Sequence, residues 1–144
     1  MSTLGLNVDA HHHFWKLERG DYGWLTAGEH PKIYRDFTPA DFGFQLRRCR
    51  MDKTVLVQAA PTEAETRFLL ETAATTSFVA GVVGWADFEA ADAPDRIASL
   101  AENTLLKGLR PMLQDLPDDE WILKPEIAPA ISAMKAHGLR FDAL

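Results

Sequence analysis

Residues 6–15 read Leu6-Asn7-Val8-Asp9-Ala10-His11-His12-His13-Phe14-Trp15. A short hydrophobic strand, Leu6 to His11, runs directly into three histidines and two aromatic residues. Side chains two apart in a strand share a face, so His11 and His13 are expected to project together while His12 points away to pack elsewhere. Two imidazoles converging at a strand end can ligate a divalent metal or polarise a carbonyl oxygen. A leftover tag explains the run poorly, because a tag would be longer and would not follow a hydrophobic strand.

Outward from this stretch, apolar runs recur. Thr54 to Ala60 (TVLVQAA), Val79 to Ala86 (VAGVVGWA) and Leu106 to Leu113 (LKGLRPML) read as strands two to four, and a fifth begins at Leu139 with LRFDAL. Continuous short apolar runs suit strands covered on both faces of a parallel sheet. Between them lie helix signals. Thr38-Pro39 places an N-cap before a proline at the first helical position, leading into Phe42, Leu46 and Cys49. Thr62 to Glu65 fits a capping box ahead of Phe68, Leu69 and Ala73. Asp92 and Pro94 open a segment with Ile97 and Leu100, and Ile127, Ile131 and Met134 form another that ends at His137-Gly138. Strands alternating with helices imply right-handed parallel crossovers. An open doubly wound sheet usually carries a glycine-rich turn after strand one. This chain carries histidines there, where a (β/α)8 barrel keeps its chemistry, so the barrel is favoured.

Composition narrows the function. The chain has 144 residues, 47% apolar and 25% charged, which suits one globular domain spanning residues 1–144. A net charge of −6 argues against a nucleic-acid partner. Arg47, Arg48, Arg50 and Lys53 read as the wet face of a helix. Cys49, the only cysteine, is expected as a small buried hydrophobe. Met1 to Asn7 shows no secretory signal, and no run has the length of a membrane span, so a cytoplasmic location is expected.

In strand four, Gly108, Arg110, Met112 and Gln114 share one parity, so Arg110 and Gln114 are expected at a common cavity. Arg110 either attracts a carboxylate or holds the oxygens of a bound ligand, or pairs structurally with Asp87 or Asp142. Gln58 is a core amide or a substrate contact. Trp85 is an apolar wall for a ligand ring or simple packing, and Asp87 caps the following loop. Trp15, Tyr22 and Trp24 lie in the long segment after strand one, which either covers the pocket or packs onto the barrel.

The opening D-x-H-x-H-F-W resembles the lactonase branch of the amidohydrolase superfamily, which includes fucono- and rhamnonolactonases and pyrone-dicarboxylate lactonases. The resemblance continues through Tyr22-Gly23-Trp24-Leu25, Val57-Gln58-Ala59, Gly84-Trp85-Ala86-Asp87, Lys107-Gly108-Leu109-Arg110, Gln114 to Asp119, and His137-Gly138-Leu139. It implies hydrolysis of a cyclic ester at a barrel mouth, with His11 and His13 as catalytic residues binding one divalent metal, zinc first, or the substrate directly. Metal dependence varies within this branch, so the ion is dispensable in some members. The resemblance further implies a histidine after strand six and a water-activating aspartate after strand eight. Gln58, Trp85, Arg110 and Gln114 would face the substrate, a small sugar lactone. A metal-dependent decarboxylase or amidase of the same superfamily, or a catalytically incomplete half-barrel, is the alternative. A full barrel needs about 250 residues, so the chain is expected to hold the N-terminal half, strands one to five. Such a half is expected to be inactive alone, and to self-associate or need the remaining strands.

Overall fold

Each apolar run pairs in parallel with the next. In the computed structural model, β1 (Val8–His12), β2 (Lys53–Val57), β3 (Val79–Gly84), β4 (Leu106–Leu109) and β5 (Arg140–Phe141) form one five-stranded sheet in sequence order. The structure describes residues 5–143. Met1 to Leu4, part of the stretch read for a secretory signal, and Leu144 of the LRFDAL segment lie outside them. Strand order without reversal decides between the two architectures, because doubly wound sheets reverse direction at a switch point. The sheet is the front half of a (β/α)8 barrel.

The strands are shorter than their apolar runs, and side chains of the helices explain where they stop. The ladder continues one residue past β2 and β4, with Gln58 N–H donating to Val83 O at 2.9 Å and Arg110 N–H to Gly84 O at 2.8 Å. The next donors are claimed elsewhere. Ala59 N–H donates to Glu65 Oε1 at 3.2 Å, and Trp85 N–H donates to Thr66 Oγ1 at 2.7 Å. After β4, Pro111 has no N–H to offer. Gly84 permits this arrangement, since a Cβ there would collide with the Thr66 side chain.

Among the described residues four α-helices follow the strands: α1 (Pro39–Cys49), α2 (Glu63–Ala74), α3 (Ala93–Ala101) and α4 (Ala128–Ala136). At α1 the Asp41 carboxylate accepts from both the backbone N–H and the hydroxyl of Thr38, each at 2.8 Å. At α2 only half of the expected capping box forms. Thr62 Oγ1 accepts from Glu65 N–H at 3.0 Å, but the Glu65 carboxylate turns inward to other partners. Asp92 likewise makes no cap bond, and its Oδ1 instead accepts from Arg96 Nε at 2.8 Å. The His137-Gly138 stop forms with Gly138 at φ 68° and Leu139 N–H donating to Met134 O at 2.9 Å.

One apolar cluster joins Leu56, Val82 and Leu109 of the sheet to Leu69 of α2, Ile97 of α3 and Ile127 before α4. Full burial of each such Leu or Ile contributes roughly 1.5–3 kcal/mol. A smaller cluster of Trp15, Tyr22, Leu25, Ala59 and Ala60 packs the β1–α1 loop onto the end of β2. Cys49 departs from expectation, because it is an exposed free thiol. It occupies the last position of α1, beyond the strip covered by Phe42 and Leu46, where the chain reverses through Arg50 at φ 55°. No helix among the described residues is long and apolar enough to cross a membrane.

Candidate active site

β1 delivers the histidines to the sheet's carboxyl end. Its pairing with β2 slips between Asp9 and His12, and His11 and His13 still meet. Their Nε2 atoms are 3.2 Å apart, with rings edge to face at 4.9 Å between centroids. His12 turns to the opposite side, as strand alternation requires. It stacks on Phe42 and shares a 2.9 Å hydrogen bond between its Nε2 and Thr54 Oγ1. Burial lowers the His12 pKa to about 4, helped by His13 and His11 and opposed by Asp9.

Hydrogen bonds constrain the tautomers of the pair. Val57 O accepts from His13 Nδ1–H at 2.9 Å, which leaves the lone pair of the neutral ring on Nε2. Burial holds the His13 pKa below its ordinary value, with the charges of Arg110 and His11 adding to the effect against the Val57 carbonyl. Arg110 Nη1, which can only donate, faces His11 Nε2 at 3.3 Å. His11 Nε2 must therefore accept, and the two imidazoles aim lone pairs at one another. A proton or a metal ion between them resolves that conflict. Two zinc–nitrogen bonds of about 2.0–2.1 Å at a tetrahedral angle place their nitrogens roughly 3.3 Å apart, so the pair fits such an ion. The remaining ligands are not assembled here, since no group of three or more His, Cys, Asp or Glu side chains among the described residues could hold a metal.

Arg110 follows β4 and is buried, with 4% of its surface exposed. Its Nη2 donates to the Gln58 carbonyl, while Nε has no partner. Neither Asp87 nor Asp142 forms an ion pair with it, and the described residues contain no salt bridge to Arg110. Burial lowers its pKa, with Asp142 acting in the opposite direction from a distance.

Beside His13 and Arg110 opens a cavity of about 460 Å³, lined also by Trp15, Trp24, Ile33, Ala59, Met112, Gln114 and Asp115. Gln114 reaches it from a 3-10 turn (Leu113–Asp115) and not from an extended strand four. The long β1–α1 loop supplies the aromatic wall. A two-way bridge between Trp15 and Phe37 closes the loop at its base, and Trp24 Nε1–H donates to Ala59 O at 2.8 Å.

Two expected contacts stand off this cavity. Gln58 is fully buried behind the wall, where its Nε2 donates to Arg110 O at 2.8 Å and ties the ends of β2 and β4 together. Trp85 faces a neighbouring chamber of about 170 Å³ with Asp87, Phe88 and Trp121. Asp87 Oδ1 accepts from Glu89 N–H at 3.0 Å, the loop-capping role expected of it. Sequence reasoning missed Ile33 and Asp115 on the cavity wall. No periodic signal marks them, because both lie in irregular segments.

The amidohydrolase family profile matches residues 8–144. An L-fucono-1,5-lactonase of Burkholderia ambifaria is 52% identical over 141 residues, covering 98% of this chain and 48% of that protein. An L-fucono-1,5-lactonase of Burkholderia multivorans is 32% identical, covering 96% of this chain and 47% of its own length. A crystal structure of a Burkholderia multivorans amidohydrolase with bound zinc superposes with a TM-score of 0.87 at 32% identity, over 97% of this chain and 49% of that one. The chain thus spans about half the length of the curated relatives it matches. A histidine pair at the carboxyl end of strand one of a half-barrel, inside a match that takes in β1 through β5, leads to one conclusion: the chain belongs to the amidohydrolase family.

Proposed function

We propose that this chain is the front part of a lactonase that opens a small sugar lactone by attack of activated water. The observation that carries the reading is the position of His11 Nε2, 3.2 Å from His13 Nε2 and 3.3 Å from Arg110 Nη1, beside an aromatic-walled cavity that His13 and Arg110 line. The likeness to two proteins named as L-fucono-1,5-lactonases supports the substrate class. His11 and His13 would hold one divalent metal, zinc first, which supplies Lewis-acid polarisation of the ester carbonyl when bound. The Val57 carbonyl keeps the His13 lone pair on Nε2, facing the reacting oxygen or its ion. Arg110, already desolvated, directs positive charge at the oxyanion as it develops. Trp15 and Trp24 offer apolar faces to the ring, and Gln114 a polar amide at the rim. Gln58 acts indirectly by fixing the Arg110 backbone, and Trp85 would reach only a substrate group that extends into the neighbouring chamber. The general base is expected outside this half of the barrel. The exposed thiol of Cys49 is in keeping with a reducing, cytoplasmic setting. The outer edges of β1 and β5, unpaired among the described residues, favour association with further strands or another copy.

The test is a panel of five- and six-membered aldonolactones offered to the complete protein, with the corresponding carboxylic acids and amides beside them. Lactone opening is the expected activity. Decarboxylation is the second reading, favoured only by the absence of a carboxylate partner for Arg110 among the described residues. Turnover of acids without turnover of lactones would replace the first reading with the second.

A further inference from the structure

Glu65 takes no part in the chemistry above, yet it is fully buried and bonds to Ala59 of the cavity wall and to Tyr22 of the β1–α1 loop. Its Oε2 accepts from Tyr22 O–H at 2.7 Å, and its Oε1 accepts from Ala59 N–H at 3.2 Å. Arg19 Nε lies 3.5 Å from Oε2, and Arg19 Nη2 also pairs with Asp21 at 2.7 Å. Asp21 in turn accepts from Thr62 Oγ1 at 3.1 Å, at the N-cap of α2. Ala59 is thus gripped at both of its polar groups: its N–H by Glu65 and its carbonyl by the Trp24 indole. Ala59 and Trp24 both line the cavity beside His13 and Arg110. One carboxylate therefore joins α2, the end of β2 and the β1–α1 loop.

We propose that Glu65 is a positioning residue of the site, a latch that holds the β1–α1 loop against the end of β2 and so sets the distance between Trp24 and the paired histidines. A helix-capping glutamate would face solvent and reach back to its own N-cap. This one abandons that bond and spends both oxygens on the loop and the strand end. Such burial of a carboxylate is costly unless its partners are fixed, so the loop cannot leave without exposing or orphaning the charge. The latch itself stands apart from the lactonase reading, and only its kinetic consequence rests on it.

The test uses the protein labelled with 5-fluorotryptophan, in which each of the four tryptophans gives one fluorine resonance and Trp24→Phe assigns its own. Glu65→Leu should move and broaden the Trp24 line and speed exchange of the Ala59 amide by at least about tenfold, the effect of losing a hydrogen bond to a charged acceptor. The Trp121 line, remote from the latch, should stay in place. Tyr22→Phe removes one hydroxyl and keeps the ring packed, so it should move the same Trp24 line by a smaller amount. Glu65→Gln, whose Oε1 can still accept from Ala59, should recover most of the amide protection. If Glu65→Leu does not fold, these two variants decide alone. Unchanged Trp24 and Ala59 signals in the folded variants would overturn the latch, and so would equal shifts of Trp24 and Trp121. None of these readouts needs a substrate, so they hold or fail whatever the protein hydrolyses. If lactone turnover is found, Tyr22→Phe should raise KM more than it lowers kcat, and the reverse split would count against positioning of the wall.

Discussion

Glu65 and Arg110 are both charged side chains buried at the carboxyl end of the sheet, and their surroundings differ in kind. Around Glu65 both carboxylate oxygens are answered: Tyr22 and Ala59 donate to them, and Arg19 supplies opposite charge, although its own Nε makes no hydrogen bond. Around Arg110 the needs conflict. Its Nε is unpartnered, no carboxylate balances it among the described residues, and the imidazole it faces already confronts a second lone pair 3.2 Å away. Burying polar groups is tolerable when they are satisfied and costly when they are not. The first cluster ties loop, strand end and helix together, while the second sets two imidazole lone pairs against each other and leaves Arg110 Nε unpartnered among the described residues. Stability should therefore depend on the first and activity on the second.

The largest expected effect tests the satisfied side. Glu65→Leu should lower the unfolding free energy in urea by about 3 kcal/mol, since it orphans the Tyr22 hydroxyl and the Ala59 N–H and strips Arg19 of a partner. A loss below about 1 kcal/mol would show that the cluster contributes little and that the contrast with Arg110 is misdrawn.

A pH profile sharpens the same contrast. Burial raises the Glu65 pKa to about 6, against the Tyr22, Ala59 and Arg19 contacts that lower it. Its folded form thus holds the proton longer than the unfolded chain, which contributes stability present in full below pH ~4.5 and lost as pH rises through 6. His12, lowered to about 4, works the other way. Its stability is present above pH ~6.5 and lost as pH falls through 4. Between these limits the two slopes oppose. Glu65→Gln removes the falling limb, so stability of the variant should climb by about 2 kcal/mol more than wild type from pH 4 to 7. Parallel profiles for the two proteins would contradict the raised carboxyl.

On the unsatisfied side, His11→Ala or His13→Ala in the complete protein should reduce lactone kcat/KM at least about tenfold, or roughly 1.4 kcal/mol of transition-state stabilisation. His11→Ala should leave unfolding free energy within about 0.5 kcal/mol of wild type, because it removes an exposed ring that makes no satisfied core bond. Wild-type turnover in both variants would remove the pair from the chemistry. The smallest effect lies where the latch meets the helix cap. Thr62→Ala should cost about 1 kcal/mol by freeing the Glu65 N–H of the α2 N-cap, without moving kcat. A change in kcat would mean that the two clusters are coupled more tightly than their contacts suggest.

The order of elements was legible because β-branched runs such as TVLVQAA and capped segments such as Thr38-Pro39 encode their state locally. The convergence of His11 and His13 was equally legible, since alternation along a strand is a property of the backbone. Strand ends were not: Glu65 and Thr66 take the N–H groups of Ala59 and Trp85, and a side chain six or nineteen residues distant leaves no mark on the run itself. The same contact explains why Glu65 looked like half of a capping box. Cys49 followed the helical spacing of Phe42 and Leu46, yet α1 outlasts the surface it covers. Gln58 shared the correct strand with the site and ended behind its wall.

From sequence alone came the alternating parallel architecture, the paired histidines and the family resemblance, all carried by local patterns and by short motifs in order. Tertiary structure alone decided which charges are answered and which are left open. Arg110 and Asp142, or Arg110 and Asp87, make plausible ion pairs on paper, and Glu65 a plausible cap. Only the packing of α2 and the β1–α1 loop against the strand ends assigns the carboxylate to Tyr22 and Ala59 and leaves the guanidinium beside His11. Hydrogen-bond partners are selected by distances of a few tenths of an ångström between residues far apart in the chain, and that information exists only once the core has closed around them.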